Sequence, residues 1–163
     1  MNAVESFACT GVLPTARTHS RALLTDASSG SSRSHRMPIT NVGVVGCGLM
    51  GSGIVQVAAQ AGFQVLFVEA DEELVKRGLM RLHETLEGLV KRGKIEARDR
   101  DAAVGRIAGT TRLEDLKSSD LVVEAMTENQ ALKNETFAKL DRICPSTTVL
   151  ASNTSSCNVT AMA

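Results

Sequence analysis

The chain has 163 residues and 17.3 kDa, with 18 basic against 18 acidic side chains and four aromatic residues, all Phe. That length suits one domain with a tail and is enough to bury a real core. Zero net charge argues against a polyanion-binding protein, so no nucleic acid is expected, and no apolar run approaches the ~20 residues of a membrane span.

Cys9, Cys47, Cys144 and Cys157 are spaced by 38, 97 and 13 residues, which matches no zinc-ligand pattern, and the three histidines lie apart from them. No metal site is expected. So few cysteines in a chain of this size fit a reducing compartment better than a disulfide framework.

Residues 1–36 differ from the rest: eleven Ser or Thr, four Arg, no Lys, and only Glu5 and Asp26 as acids. The run from Ser28 to Ser34 has the composition of a solvated linker. Residues 1–37 are therefore expected to be a disordered tail, either a start assigned too early or an Arg- and Ser-rich mitochondrial transit peptide. The first alternative implies a cytoplasmic protein, the second the mitochondrial matrix. The net charge divides accordingly, +2 for the tail and −2 for residues 37–163.

Ordered patterning starts at Met37-Pro38. Residues 39–45 form a β-branched run and predict a buried strand. After a glycine-rich interruption, residues 52–61 show a helical apolar face closed by Gly62. Residues 64–68 predict a second strand. Residues 71–92 predict a long helix, with acids at its start and bases at its end as the helix dipole favours. Residues 95–104 read as a charged helical connection. Strands follow at 106–108, 120–125 and 147–151, with a helix at 129–143 ended by Cys144-Pro145. Alternation of strands and helices over residues 39–151 predicts an α/β fold, a Rossmann-type doubly wound parallel sheet occupying residues 38–163.

Gly46-Cys47-Gly48-Leu49-Met50-Gly51 is G-x-G-x-x-G, set between a predicted strand and a predicted helix in a unit of about thirty residues, the context that gives the motif meaning. Gly46 permits the tight turn, Gly48 lets backbone approach a pyrophosphate, and Gly51 lets the helix pack closely on the strand. The phosphate then lies at a helix N-terminus. Glu69 ends the second strand, eighteen residues after Gly51, where a carboxylate accepts the adenosine ribose hydroxyls and repels a 2′-phosphate. With no Lys or Arg at positions 67–72, the cofactor expected is NAD. Cys47 is read as a small residue at a crowded position, not a redox centre.

These segments resemble the NAD-binding domain of the 3-hydroxyacyl-CoA dehydrogenases, the bacterial 3-hydroxybutyryl-CoA dehydrogenases among them. GCGLMGSGIVQVAAQAGFQV (46–65), DLVVEAMTEN (120–129), LKNETFAKLD (132–141) and ASNTSS (151–156) carry the likeness, which runs from about Pro38 to Ala163. It implies NAD-dependent oxidation of the 3-hydroxyl of an acyl-CoA in fatty-acid or butanoate metabolism. It also implies that full-length relatives form homodimers.

The resemblance places Glu69 at the ribose acid, usually Asp. It places Glu128 and Lys133 at NAD-contacting positions near the active site, with Lys133 also serving the CoA side. Ser155 falls on the serine that hydrogen-bonds the substrate's 3-oxygen and also meets cofactor and CoA. Thr85 and Arg92 fall on CoA-holding positions, Arg replacing a usual Lys. The family's catalytic His, its Glu partner and a helical domain lie downstream of the serine loop. His19, His35 and His83 match none of these positions, so the chain is expected to be a cofactor-binding fragment, inactive alone. The alternatives are a 3-hydroxyisobutyrate-type dehydrogenase, which also favours Met before the third glycine, and a non-catalytic NAD-binding or crystallin-like module.

Overall fold

A computed structural model describes residues 4–6, 38–158 and 160. Its strands are β1 (Val4–Ser6), β2 (Asn41–Val45), β3 (Gln64–Val68), β4 (Ile107–Thr110), β5 (Leu121–Glu124) and β6 (Val149–Ser152). Its helices are α1 (Leu49–Gln60), α2 (Glu72–Lys91), α3 (Ala97–Val104) and α4 (Gln130–Ile143), with a 3-10 turn over Leu113–Ser118. All strands pair in parallel, in the order β1-β6-β5-β2-β3-β4. The chain steps outward from β2 to β3 and β4, then returns to the other side for β5 and β6. Strand order therefore reverses between β2 and β5, where open α/β sheets keep their ligand crevice.

Helices cover both faces, as the doubly wound expectation requires. One core gathers Val42, Val44, Val55, Phe67, Leu82 and Leu86 beneath α1, α2 and α3. The other gathers Val45, Leu116, Val122, Phe137, Leu140 and Leu150 beneath α4 and the 3-10 turn. Because both faces are covered, β2 and β3 read as near-continuous apolar runs instead of alternating ones.

The boundaries differ from expectation in instructive ways. α1 begins at Leu49, three residues earlier than predicted, with Gly48 as its N-cap. Two of the motif's residues that read as turn are thus the helix's own first turn, and Gly51 lies inside the helix. α2 is capped by Asp71, whose carboxylate accepts the Leu74 N–H at 2.7 Å, and α4 by Asn129, which accepts from Leu132 at 3.1 Å. Gly62 sits at φ +101°, the left-handed conformation that ends α1. The 3-10 turn was not anticipated. Neither was β1, which lies in the stretch expected to be tail and pairs Val4, Glu5 and Ser6 with Leu150, Ala151 and Ser152. The disorder expected for residues 7–37 lies outside the described residues.

Candidate dinucleotide-binding site

The glycine turn is built by steric demand at two of its three glycines. Gly46 has φ +93°, and a Cβ there would stand 2.9 Å from the Ala125 carbonyl oxygen. At Gly51 a Cβ would fall 1.9 Å from the Gly46 carbonyl oxygen, so α1 approaches the turn only because the residue has no side chain. Gly48 is the opposite case: a Cβ there meets nothing within 4 Å. The protein does not need glycine at 48 for its own fold, which fits a bare backbone kept for a ligand.

The N-terminus of α1 is electrostatically open. It has no side-chain cap and no acid in its first turn, whereas α2 has Asp71, Glu72 and Glu73 at the equivalent place. The unpaired first-turn N–H groups and the dipole are thus left for an external anion. Beside this end lies a cleft of about 720 Å³, lined by Gly46, Gly48, Leu49, Met50, Glu69 and Glu128 among others. It sits at the carboxyl ends of β2 and β5, the switch point of the sheet.

Glu69, directly after β3, reaches back to accept the Cys47 N–H through Oε1 at 2.5 Å. Arg81, three turns along α2, donates to the Cys47 carbonyl at 3.3 Å. The Cys47 peptide is thereby held from both sides, and its side chain is buried, 3% exposed. Burial, and then the Glu69 charge, push the Cys47 thiol up to about 11 despite the opposing pull of Arg81. A neutral, enclosed thiol has no nucleophilic role, which fits its reading as a small filling residue.

Glu128, between β5 and α4, organises the segment after β6. Its Oε2 accepts the hydroxyls of Thr154 at 2.7 Å and Ser156 at 3.0 Å and the thiol of Cys157 at 3.1 Å. These bonds, Thr154 first and Cys157 next, together with the nearby charge of Lys133, hold the Glu128 carboxyl down at about 2 against the opposing effect of desolvation. Ser155 stands exposed between two residues that are both spent on Glu128. Gln130 adds a second tether, donating to the Asn158 carbonyl at 3.3 Å and accepting the Asn158 N–H at 2.9 Å.

Lys133 is not a solvated lysine. It is wholly buried and donates to both oxygens of the equally buried Glu124, at 2.7 and 2.9 Å. Its ammonium stands 3.9 Å from Glu128. Glu124 also accepts the Met126 N–H and the Ser152 hydroxyl, each at 2.6 Å. Glu124, Ser152, Gln130 and Arg81 all escape sequence reasoning, since a strand-end acid or a helix-face base looks solvated until its neighbours are known.

Thr85 and Arg92 do not line the cleft. They are exposed on α2, seven residues and so about two turns apart on one face. The Thr85 hydroxyl donates to the Arg81 carbonyl at 2.7 Å, and Arg92 is the C-cap of the helix. His83, also exposed on α2, lines a separate cavity of about 440 Å³ with Leu79, Met80 and Val104. Among the described residues, no helix is long and apolar enough to cross a membrane.

A parallel sheet whose switch point carries a G-x-G-x-x-G turn, an uncapped helix start and an acid after the next strand defines a Rossmann-type dinucleotide-binding domain. Residues 41–163 match the family described as 3-hydroxyacyl-CoA dehydrogenase, NAD binding domain. The chain belongs to that family, and NAD is the cofactor its domain binds.

Among its relatives is a 3-hydroxybutyryl-CoA dehydrogenase of Mycobacterium tuberculosis, 49% identical over 119 residues that cover 72% of this chain and 42% of that protein. The human mitochondrial hydroxyacyl-coenzyme A dehydrogenase is 35% identical over 146 residues, covering 86% of this chain and 46% of that protein. The crystal structure of M. tuberculosis FadB2 superposes with a TM-score of 0.75 at 46% identity, covering 76% of this chain and 44% of that one. The chain thus spans less than half the length of these relatives.

Proposed function

We propose that this chain is the cofactor-binding part of an NAD-dependent dehydrogenase that interconverts 3-hydroxyacyl-CoA and 3-ketoacyl-CoA, with 3-hydroxybutyryl-CoA as the representative substrate. One observation carries the reading: Glu128, on the lip of the dinucleotide cleft, ties down the Thr154–Cys157 segment, which supports a role for Ser155 at the substrate's 3-oxygen.

Each residue has a part. The first turn of α1 and Gly48 hold the pyrophosphate. Glu69 takes the adenosine ribose hydroxyls on its remaining oxygen and disfavours a 2′-phosphate. Glu128 and the Lys133 ammonium support the nicotinamide end, and Ser155 hydrogen-bonds the 3-oxygen. Thr85 and Arg92 offer a hydroxyl and a cation to the CoA moiety from the exposed face of α2, and Lys133 and Ser155 are assigned to its acyl side. Bound NAD supplies the hydride acceptor for carbon 3. The hydroxyl proton needs a base, and among the described residues the histidine, His83, faces a different cavity; we expect residues 1–163 to bind without turnover.

Fluorescence titration of the chain with NADH, with and without acetoacetyl-CoA, tests this reading. We expect NADH binding, and tighter binding in the presence of acetoacetyl-CoA. Failure to bind NADH removes the cofactor site. Enhancement by free 3-hydroxyisobutyrate in place of the CoA ester favours the 3-hydroxyisobutyrate-type reading instead.

Residues 38–163 are proposed as the folding unit of this activity. The described cysteines, Cys47, Cys144 and Cys157, are unpaired, which fits the reducing cytoplasm or the mitochondrial matrix. A fluorescent fusion to residues 1–37 decides between the two.

A further inference from the structure

We propose that Glu124 is a positioning residue: through Lys133 and Glu128 it holds the serine-bearing segment after β6 in place at the cleft. The inference rests on the cofactor cleft described above and names a residue to which that reading gives no part.

The geometry is a saturated relay. Glu124 ends β5 and is wholly buried. Its Oε1 accepts Lys133 at 2.7 Å and the Met126 N–H at 2.6 Å. Its Oε2 accepts Lys133 at 2.9 Å and the Ser152 hydroxyl at 2.6 Å. A carboxylate offers about four lone-pair sites, and all four are used. Two of the three ammonium hydrogens are spent on Glu124, and the next carboxylate, that of Glu128, stands 3.9 Å from the nitrogen. Glu128 in turn accepts Thr154, Ser156 and Cys157. The Glu124 backbone also takes part, its carbonyl accepting the Asn153 N–H at 2.8 Å.

Stability alone gives a poor reason for this arrangement. Two buried charges are costly to desolvate, and an apolar pair of similar volume often serves a core as well or better. What an apolar pair lacks is a fixed positive charge beneath Glu128. The pair also lies at the carboxyl ends of β5 and β6, the ligand end of the sheet, with Ser152 immediately preceding the segment that carries Ser155.

The test uses the full chain and the thiol of Cys157, which donates to Glu128, with buried Cys144 as internal control. In Glu124→Gln the ammonium loses its counter-charge. We expect Cys157 alkylation by iodoacetamide to rise on the order of tenfold relative to Cys144 as the segment opens locally, with a similar weakening of NADH binding. The neutral pair Glu124→Gln/Lys133→Met separates positioning from structure. It is expected to recover the melting temperature but neither the Cys157 protection nor the NADH affinity.

If Glu124→Gln does not fold, Ser152→Ala carries the test, since it keeps both charges and removes one donor. We expect about a threefold rise in Cys157 reactivity there. Wild-type Cys157 protection in the folded variants overturns the proposal, as does full recovery of that protection in the neutral pair. Absence of NADH binding by the wild-type chain overturns the cleft reading instead, and leaves the Cys157 result to judge the relay.

Discussion

Glu69 accepts the backbone N–H of Cys47 at 2.5 Å, joining residues 22 positions apart at the mouth of the cleft. The acid proposed to bind ribose therefore also braces the turn proposed to bind phosphate. Oε1 is committed to the protein, the proposed ribose contact falls to Oε2, and the longer reach of Glu suits that double use.

Replacing Glu69 should thus do more than remove a ribose contact. Glu69→Ala is expected to weaken NADH binding roughly tenfold, the scale of one charge-assisted hydrogen bond. Glu69→Ser should in addition narrow the preference for NADH over NADPH, because the charge that repels a 2′-phosphate is gone. Parallel fluorescence titrations with both cofactors measure the ratio, and an unchanged ratio would sink the assignment.

The glycines at 48 and 51 should fail in different ways. At Gly51 a Cβ collides with the Gly46 carbonyl oxygen at 1.9 Å, so Gly51→Ala is expected to cost about 3 kcal/mol of stability. At Gly48 a Cβ has open space. Gly48→Val should unfold at the wild-type urea midpoint yet lose roughly tenfold or more in NADH affinity. Equal effects of both variants on stability would argue against the proposed pose.

Glu128 sets the acid limit of the serine segment. Its folded-state carboxyl is held down at about 2, below the ordinary 4.5. The sign follows: the stabilisation is fully present above the unfolded value and is lost as pH falls through the folded one. The amides of Ser156 and Cys157 should keep their hydrogen-exchange protection, corrected for intrinsic rates, from neutral pH down to about 4.5. They should lose it approaching pH 2, whereas Glu128→Gln should lack most of it already at neutral pH. Protection that falls steeply near pH 6 would contradict this.

At the opposite end of the sheet, Asp120 accepts the N–H groups of Thr40 and Asn41, each at 2.8 Å, and the Thr40 hydroxyl at 3.0 Å. The Thr40 and then the Asn41 backbone bonds hold its carboxyl below the ordinary range. Its stabilisation is therefore present above the unfolded value of 3.8 and is lost as pH falls below that. Asp120→Asn is expected to cost about 1 kcal/mol at neutral pH, a figure kept small because the site is only partly buried. Urea titrations at pH 7 and pH 3 should show the gap between variant and wild type shrinking, and NADH affinity should stay unchanged.

The sequence by itself determined the features whose causes are local. Periodicity located β2, β3, β5, β6, α2 and α4 to within a few residues, because each buries a continuous face and ends at its own punctuation. The place of the glycine turn between β2 and α1, and of Glu69 directly after β3, was legible because chain geometry alone fixes that spacing in a strand-turn-helix-strand unit. The limits of α1 were less so, since nothing in Leu49-Met50 distinguishes a turn from the first turn of a helix.

Tertiary structure decided what depends on elements meeting. Glu124 and Lys133, nine residues apart on a strand and a helix, look like two solvated charges until the ligand end of the sheet closes over both. Glu128 looks like a loop acid until β6 brings Thr154, Ser156 and Cys157 to it. Parallel topology is the physical reason: it gathers the carboxyl ends of strands remote in sequence at one edge. The backbone pattern that predicts the strands does not state which side chains will share that edge.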